Sequence, residues 1–462
     1  MTSLTPRPAK LLRRDDAAAW RGAVVSSVLY EVPLVHGTEH LAANSSTHSS
    51  GASLDAQSVT VRAREVRSTD ADAEQRPWLV YLQGGPGFEA LRPVNPSSGW
   101  LGELLPHFRV LLLDQRGTGG SSPISAATLN AIGSGEPEPQ QITRQIEFLS
   151  HFRATDIVAD AEAIRLAMGV DSWFTLGQSY GGFITMSYLS FAPDALAGSM
   201  ITGGLGLIEG DPKRVYDATY ARTAERQAEV FEAWPHAAAQ LRDLYAEARR
   251  ARDAGHPYRL ANGHVVTELT IQRLGMLLGG NSRVQQLRFG LEDALSHGGI
   301  SPVMLSLLGS QVDHARNPIY WLFQEAIYTS GPATRWAASR SQQQTHPQTL
   351  PSADVPQLIG EAALPEDFEQ DPALQPLEQL AHALHEYSGW NPLYNYEQLA
   401  NNTVPVAAAV YTPDIYVDRE LSLETASRIR GINVWESADH HHDGLSDDPA
   451  TVLGELRERI GR

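Results

Sequence analysis

The 462-residue chain contains no cysteine. Disulfides, thiolate metal sites and a cysteine nucleophile are therefore excluded, so any chemistry must come from serine, histidine and carboxylate side chains. Lysine is also scarce, because only Lys10 and Lys213 occur and the other basic residues are arginines. We interpret this scarcity as a coding bias toward arginine.

Long apolar runs are absent too, and no apolar stretch follows the basic N-terminal sequence RPAKLLRR. Neither a membrane span nor a secretory signal is expected, and we predict a cytoplasmic protein. The 36 basic residues are outnumbered by 54 acidic ones, which gives a formal net charge of −18. This charge repels nucleic acids and anionic membranes, so neither is an expected partner, and it favours cationic ligands.

Short apolar segments bounded by turn residues predict strands in the first 204 residues, and a polar loop is predicted at 40–56. A helix is predicted over 155–169, with Thr155 as its N-cap and Gly169 as its stop signal. Because strands alternate with helices, we expect an α/β protein with a mostly parallel, doubly wound sheet. The predicted strands lie at 22–33, 58–66, 78–82, 108–113, 172–178 and 196–204.

The middle of the chain has a different character, because residues 205–398 are rich in charge and helical in pattern, with no convincing strand pair. Strands return at 404–414 and 432–437, and the chain ends in the helix-like sequence DPATVLGELRERIG. We predict that residues 1–204 and 399–462 form one catalytic domain and that 205–398 form an inserted helical domain.

The sequence GQSYG at residues 177–181 matches the pattern G-x-S-x-G. An apolar strand precedes it and a helix follows it, as in a nucleophile elbow, where a sharp turn exposes the serine hydroxyl above the sheet. The flanking glycines suit such a turn because a side chain there would clash with the neighbouring strand and helix. Ser179 is therefore the predicted nucleophile, and the alternative is a glycine-rich turn without catalysis.

A serine nucleophile needs donors for the oxyanion that forms during acyl transfer. The backbone N–H of Tyr180, which follows the serine, is the first predicted donor. The second should come from the loop LQGGPGFEA after the strand at 78–82, where glycines let the backbone approach a substrate. Gly85 is our choice, with Gly84 as the alternative.

A third glycine-rich sequence, DQRGTGGSS at 114–122, lacks the ending of a P-loop and the spacing of a dinucleotide site. A phosphate-binding loop is therefore excluded. We expect Asp114 and Arg116 to form an ion pair that braces this loop beside the site.

The acid and the base should follow the last two strands, because hydrolases of this kind order their triad as serine, acid, histidine. Asp414 ends the strand segment VAAAVYTPD, and Asp418 is the alternative acid. Adjacent His440, His441 and His442 follow the strand at 432–437. Neighbouring side chains on extended backbone point in alternating directions, so a metal site is not expected. His442, directly before DGL, is our choice for the base.

Four segments together resemble the prolyl aminopeptidase (proline iminopeptidase) family of α/β hydrolases, in particular its longer-chain branch. They are GGPG, DQRGTGGSSP, GQSYGGF and HDGL, in this order. The resemblance implies an α/β-hydrolase fold with a helical cap inserted before the last strands. It also implies a Ser179–Asp414–His442 triad, which agrees with the residues chosen above, and an oxyanion hole from Gly85 and Tyr180.

The family removes an N-terminal proline from peptides and holds the free amine with carboxylates of its cap. The resemblance places Glu325, in FQEAIYTSG, in that role, and Glu361, in IGEAALPEDF, is the second candidate. Relatives tend to carry an aromatic-rich stretch after the GE of the second segment, and this chain does not. Gln83 also replaces a histidine found ahead of GGPG in the shorter members.

We therefore expect a serine exopeptidase that releases an N-terminal proline, with a small peptide bearing a free amine as its partner and no metal or organic cofactor. An esterase or amidase acting on a small molecule would use the same triad and is the alternative within enzymes. A hydrolase-fold binding protein without catalysis is the alternative from another class. The sequence makes no prediction of the oligomeric state.

Overall fold

The computed structural model describes residues 4, 6–37, 54, 57–296, 298–312 and 315–462. Apart from Leu54, the polar loop predicted at 40–56 lies outside the described residues. The strands, in chain order, are β1 (Lys10–Arg14), β2 (Ala18–Trp20), β3 (Ala23–Pro33), β4 (Ser58–Ser68), β5 (Trp78–Leu82), β6 (Arg109–Leu113), β7 (Trp173–Gln178), β8 (Leu196–Thr202), β9 (Leu295–Ser296), β10 (Gly299–Ile300), β11 (Val406–Tyr411) and β12 (Ile432–Ser437).

Helices fill the connections between these strands. Before β8 they are α1 (Gly99–Leu104), α2 (Ala126–Ala131), α3 (Glu138–Leu149), α4 (Ala154–Ala167) and α5 (Tyr180–Phe191). Between β8 and β11 they are α6 (Lys213–Ala233), α7 (Pro235–Asp253), α8 (Glu268–Gln272), α9 (Asn281–Glu292), α10 (Pro302–Gln311), α11 (Pro318–Phe323), α12 (Ala337–Gln344), α13 (Pro365–Gln370), α14 (Glu378–Glu386) and α15 (Tyr396–Ala400). The last three are α16 (Arg419–Ala426), α17 (Gly444–Asp447) and α18 (Pro449–Arg459).

Ten strands of the described chain form one sheet in the order β1-β3-β4-β6-β5-β7-β8-β11-β12, with β2 also paired to β3. The pairs that join β6, β5, β7, β8, β11 and β12, in this order across the sheet, are parallel. The pairs among β1 to β4 and between β4 and β6 are antiparallel. Parallel neighbours place their carboxyl ends at one edge, where loops carrying active residues meet in open α/β sheets. This edge is where the predicted site residues should meet.

Both faces of the sheet are covered, as the unbroken apolar strands predict. Successive residues of β5 point to opposite faces, because side chains alternate along a strand. Val80 and Leu82 belong to the core that contains α4 and α5. Leu79 and Tyr81 belong to the opposite core with α1 and α18.

The chain leaves the sheet after β8 and returns at β11, which pairs directly with β8. We call the intervening residues 203–405 the helical insertion. One of its apolar clusters is built on Leu241, Leu244 and Leu274, and Tyr416 from the loop after β11 joins that cluster. The insertion therefore packs against a loop at the carboxyl edge of the sheet. The two-domain division predicted at residues 204 and 399 stays a prediction.

Three local expectations differ from the structure. The helix predicted from Thr155 has Arg153 as its N-cap, without a side-chain capping bond, although its predicted stop is confirmed, because it ends at Ala167 and Gly169 follows the C-cap with φ +65°. The basic N-terminal sequence forms the edge strand β1, which the sequence pattern did not predict. The insertion contains one short antiparallel pair, β9 and β10.

Of the helices in the described ranges, none combines the length and apolar character needed to cross a bilayer. The cytoplasmic location stays a prediction.

Candidate active site

Ser179 occupies the turn between β7 and α5, as the G-x-S-x-G pattern predicts. Its backbone has φ 53° and ψ −123°, in a region that residues with a side chain rarely adopt. Such strained backbone clusters at functional sites, where the surrounding packing has to hold it in place. The side chain is largely buried, with 8% of the residue exposed. The local conformation is therefore the sharp strand-to-helix turn of a nucleophile elbow.

Glycines around Ser179 allow this turn to pack against β5. A Cβ atom at Gly181 would lie 1.9 Å from the carbonyl oxygen of Leu82, and one at Gly177 would lie 2.2 Å from the carbonyl oxygen of Gly181. Both distances are far below van der Waals contact, so these two positions exclude any side chain. The turn is thus fixed by backbone contact with the neighbouring strand.

We expect Gly181→Ala to destabilise the fold by about 3 kcal/mol, because the added methyl group forces the elbow away from β5. Gly454→Ala in α18 is the matched control, since an added Cβ there meets no atom within 4 Å. The control should be neutral or more stable by up to about 1 kcal/mol, owing to the better helix propensity of alanine. Urea unfolding of both variants measures the difference, and equal stability of the two would contradict the packing argument.

A short segment after β8 brings Ser179 close to the acid and the histidine. The N–H of Ser179 donates to the carbonyl oxygen of Thr202 at 3.0 Å. A Cβ atom at Gly204 would lie 2.6 Å from the carbonyl oxygen of Ser179, and one at Gly203 would lie 3.2 Å from His442 Nδ1. The structure therefore brings Ser179 and His442 to adjacent residues of one segment at the carboxyl edge of the sheet.

Asp414 and His442 form a buried hydrogen-bonded pair. The distance between His442 Nδ1 and Asp414 Oδ2 is 2.8 Å. The other carboxylate oxygen, Oδ1, accepts from the backbone N–H groups of Tyr416 at 2.8 Å and Val417 at 3.0 Å. Because a carboxylate only accepts, Nδ1 carries a hydrogen, and in a neutral imidazole the basic lone pair is then on Nε2. This is the orientation that a general base requires.

The charges around His442 favour its protonated form. Burial opposes that form, but Asp414, and more weakly Glu361 and Asp443, outweigh burial and raise the pKa of His442 to about 9. The imidazole therefore holds a proton readily in the resting protein. Anything that removes one of these negative charges will lower this pKa.

The other candidates for acid and base have different partners. Asp418 caps α16 by accepting from the backbone N–H groups of Glu420 and Leu421. His440 Nδ1 lies 2.7 Å from the hydroxyl of Ser437, and His441 is buried, with its pKa lowered by burial and by the nearby charge of Arg226. In the described part of the chain, no three His, Asp or Glu residues are arranged to hold a metal ion.

The GGPG loop also lies at the elbow. A Cβ atom at Gly84 would lie 3.0 Å from Cβ and 3.6 Å from Oγ of Ser179, so Gly84 is in direct contact with the serine. Gly85 has φ +131°, a conformation for which glycine is suited. The backbone of this loop therefore passes the predicted nucleophile, while the choice between Gly85 and Gly84 as the oxyanion donor stays a prediction.

Glu361 is a half-buried carboxylate of the helical insertion. The hydroxyl of Tyr320 donates to its Oε1 at 3.2 Å. Burial raises its pKa, whereas the positive charges of His442 and Arg283 and the Tyr320 bond oppose that rise. Glu361 thus places negative charge within electrostatic range of His442.

Glu325 is fully buried and has its oxygens occupied by other groups. They accept from the N–H groups of Ala337 at 2.8 Å and Ala338 at 2.9 Å, at the start of α12. His385 Nδ1 lies 3.0 Å from Oε2. These contacts anchor the helix N-terminus, where negative charge is favoured. An amine-binding role for Glu325 stays a prediction.

Aromatic side chains near Glu361 and His442 were not predicted from the sequence. The rings of Phe88 and Tyr320 lie 5.4 Å apart in an edge-to-face contact. The ring of Tyr416 packs on His442 at 4.9 Å with an interplanar angle of 79°. Tyr416 follows Asp414 by two residues, and this proximity in the chain is the signal that could have identified it.

The expected Asp114–Arg116 ion pair is wrong. Asp114 Oδ1 instead accepts from Arg64 Nη1 at 3.0 Å, and Arg116 Nε donates to Asp160 at 2.7 Å. Asp114 therefore pairs with a residue of β4 and Arg116 with a residue of α4. Each partner lies more than forty positions away in the chain. The bracing itself remains, because Asp114 Oδ2 accepts from the N–H of Gly120 in the same loop.

A family model described as the alpha/beta hydrolase fold matches residues 77–256, which include the elbow. The chain is therefore an α/β hydrolase, and the predicted fold class is confirmed. It is 39% identical over 403 residues to a proline iminopeptidase of Aeromonas sobria, covering 87% of this chain and 92% of the relative. The chain belongs to the proline iminopeptidase family, as the four motifs predict.

Another relative has the same family name, and the chain is also similar in part to solved hydrolase structures. The chain is 29% identical to a proline iminopeptidase of Aspergillus aculeatus, covering 97% of this chain and 96% of that relative. Among solved structures, it is similar to 2-hydroxy-6-oxo-6-phenylhexa-2,4-dienoate hydrolase from Rhodococcus sp. strain RHA1, with a TM-score of 0.41 and 16% identity over 87% of this chain and 95% of that one.

Proposed function

We propose that this protein is a serine exopeptidase that releases an N-terminal proline from small peptides. The observation that carries the proposal is the contact of Gly203 and Gly204 with the Asp414–His442 pair on one side and the strained Ser179 turn on the other. This arrangement supports a nucleophile, a base and an orienting acid at one edge of the sheet. The names of the two full-length relatives support proline as the residue released.

In the first step, His442 Nε2 takes the proton of the Ser179 hydroxyl while Oγ attacks the carbonyl carbon of the N-terminal proline. The carbonyl π bond breaks and its electron pair moves to the oxygen, which the N–H groups of Gly85 and Tyr180 stabilise. Asp414 stabilises the imidazolium that forms and does not itself take the proton.

In the second step, the tetrahedral intermediate collapses and the peptide C–N bond breaks. The imidazolium of His442 gives its proton to the departing amine, which leaves proline esterified to Ser179. Water, deprotonated by His442, then attacks this ester, and free proline leaves as Ser179 regains its proton. No metal or organic cofactor takes part.

We assign recognition of the cationic ring nitrogen to Glu361. Its side chain is partly accessible and electrostatically coupled to His442, whereas Glu325 already accepts three hydrogen bonds in the interior. A partly buried carboxylate makes strong charge-assisted hydrogen bonds to an ammonium group. The Phe88 and Tyr320 rings offer apolar surface for the methylene groups of proline.

Residues 205–398 of the helical insertion serve as a cap domain over the catalytic domain formed by 1–204 and 399–462. It supplies both Glu361 and Tyr320, so it determines which amine enters. The partner is a small peptide with a free N-terminal amine, and we place the reaction in the cytoplasm.

The test of this function compares prolyl arylamide with its N-acetylated form. We expect the free amine to be cleaved at least about 100-fold more efficiently, because the acetyl group removes the charge that Glu361 pairs with. Glu361→Gln should lower kcat/KM for the free amine by about 100-fold but should not impair the acetylated substrate at neutral pH, because losing this charge lowers the pKa of His442 and favours the neutral base. Exposed Glu369→Gln is the control variant and should behave as the wild type.

Equal or better cleavage of the acetylated substrate by the wild type would contradict the exopeptidase assignment and favour an esterase or amidase. A larger loss from Glu325→Gln than from Glu361→Gln, at unchanged stability, would move the amine site to Glu325. A wild type that fails to react with a fluorophosphonate at Ser179 would favour a non-catalytic protein.

A further inference from the structure

One segment of the helical insertion, residues 276–283, contacts both loops that carry the acid and the histidine. We call this segment the latch. It runs from the end of the turn before α9 into the first turn of that helix. The loop after β11 carries Asp414, and the loop after β12 carries His442. The latch is therefore placed to connect the insertion with the proton-transfer pair.

Asp443, the neighbour of His442 in the chain, is held by the latch at three points. Its backbone N–H donates to the carbonyl oxygen of Gly279 at 3.2 Å. Its carboxylate Oδ2 accepts from Arg283 Nη1 at 3.2 Å. A Cβ atom at Gly280 would lie 2.4 Å from that oxygen, so only glycine allows this approach.

The far end of the histidine loop is held as well. The backbone N–H of Asn281 donates to Asp447 Oδ2 at 2.9 Å, and the hydroxyl of Ser282 donates to Asp447 Oδ1 at 2.5 Å. The side-chain amide of Asn281 donates to the carbonyl oxygen of Asp439 at 3.4 Å. The latch thus contacts the loop before and after His442.

The loop of the acid meets the latch through Tyr416. The Tyr416 hydroxyl donates to the carbonyl oxygen of Met276 at 2.7 Å, and Arg283 Nη2 donates to the same oxygen at 2.5 Å. The Tyr416 ring packs edge-on against the imidazole of His442. Arg283 therefore links Asp443, through the Met276 carbonyl oxygen, to Tyr416, whose ring packs on His442.

We propose that Arg283 is a positioning residue for His442, holding the histidine loop and Tyr416 against the insertion and neutralising the Asp443 carboxylate beside the base. This inference rests on the proposed role of His442 as the base. Arg283 does not touch the reacting atoms and acts through Asp443 and Tyr416. It is two-thirds buried, with 33% of its side chain exposed, and so its charge is only partly screened by water.

The charges that face His442 come from four directions. Asp414 lies on the β11 loop, Glu361 on the insertion and Asp443 on the histidine loop itself, and all three carboxylates favour the imidazolium. Arg283 on α9 opposes them, because it neutralises Asp443 and also interacts with Glu361. Removing Arg283 alone should therefore raise the pKa of His442, and removing Asp443 alone should lower it.

The experiment is a double-mutant cycle of Arg283→Met and Asp443→Asn. The readout is the acid limb of the plot of kcat/KM against pH, whose position is the pH at which activity is half of its maximum on the acid side. The limb should move up by about one pH unit in R283M, so that kcat/KM at pH 7 falls about tenfold, and down by a similar amount in D443N. The double variant should return to within about 0.3 unit of the wild type. Arg283→Lys, which keeps the charge, should move the limb by less than about 0.3 unit.

Arg214→Met is the matched control, because Arg214 also joins the insertion to the sheet domain through an ion pair, with Glu424 at 2.6 Å, but touches neither loop. Its acid limb should not move. If R283M loses activity without moving the acid limb, the role of Arg283 is only structural, and the proposal is overturned. A double variant whose acid limb stays displaced from that of the wild type by about one pH unit overturns it as well.

A second readout separates this proposal from the substrate assignment. The rate at which a fluorophosphonate modifies Ser179 depends on the neutral form of His442 and needs no proline or amine. The same shifts in this rate, together with an absence of prolyl arylamide cleavage, would support the latch and refute the exopeptidase function. Normal cleavage without shifts in either assay would refute the latch alone.

Discussion

Replacing Ser179 by alanine is expected to lower kcat for prolyl arylamide by about 10⁵-fold, because covalent catalysis is lost while the oxyanion donors and the substrate site remain. KM should change little, since the hydroxyl contributes to bond formation rather than to ground-state binding. Single-turnover kinetics with purified protein measure the loss. Alanine keeps the Cβ atom, so the strain at φ 53° is retained and the free energy of unfolding should change by less than about 0.5 kcal/mol.

Ser190→Ala is the matched control for this substitution. Ser190 is a buried serine of the same helix whose hydroxyl donates to the carbonyl oxygen of Met186. Its loss should leave kcat within about twofold of the wild type, because it lies about three turns beyond the elbow. Retained turnover in Ser179→Ala, or an equal loss in both variants, would remove Ser179 from the role of nucleophile.

The second large effect is expected for Asp414→Asn, which should lower kcat by about 10⁴-fold. The asparagine oxygen can still accept from the N–H groups of Tyr416 and Val417, which hold Oδ1 at present. Its amide nitrogen then faces His442 Nδ1 and donates to it. The imidazole is thereby forced into the tautomer with hydrogen on Nε2, which cannot accept the proton of Ser179.

The pH dependence of this variant has a defined sign. In the wild type, kcat/KM should rise with pH toward about 9, the pKa of His442, because only the neutral imidazole is a base. Asp414 is the main group that raises this pKa against the effect of burial, so Asp414→Asn should move the acid limb to lower pH. Fluorophosphonate modification of Ser179 measures the limb without interference from titration of the substrate amine.

Asp418→Asn controls for general damage to the same loop. Asparagine can still cap α16, so the variant loses only the ion pair with Arg222, which should cost up to about 1 kcal/mol of stability and leave the acid limb in place. An unchanged pH profile in Asp414→Asn, or a 10⁴-fold loss in Asp418→Asn, would contradict the assignment of the acid.

The residues predicted for the triad depend on local patterns, and for that reason they could be found from the sequence. Ser179 lies between an apolar strand and a helix, and Asp414 and His442 each follow a strand whose end is visible in the chain. In a parallel sheet, such ends meet at one edge. The structure places the three residues there, around Gly203 and Gly204.

The expectations that were wrong concern which distant group a side chain meets. Asp114 and Arg116 are close in sequence, yet they bond to Arg64 of β4 and Asp160 of α4, two elements that are distant from their loop in the chain. Glu325, whose amine-binding role stays a prediction, also makes a contact that the sequence does not reveal, because its carboxylate accepts from the backbone at the start of α12. Contacts of this kind follow from tertiary packing, which has no periodic signal in the chain.

The latch shows the same limit in a different way. Arg283 and Asp443 are 160 positions apart, and nothing in either neighbourhood distinguishes them from the many surface charges of this acidic chain. Only the folded arrangement reveals that the pair lies beside the histidine loop. Glycine at positions 279 and 280 is the one local hint, because adjacent glycines allow two backbones to approach closely.

The connection of β8 to β11 has a consequence for how this protein can evolve. The insertion begins and ends on neighbouring strands, with Ser199 opposite Val406, so a change in its length or composition need not alter the spacing of the sheet. Selection for a new amine or a wider peptide could therefore replace most of the helical insertion while the catalytic residues stay unchanged. The segment from Met276 to Arg283 is the exception, because a replacement that loses it would also change the position and the pKa of His442.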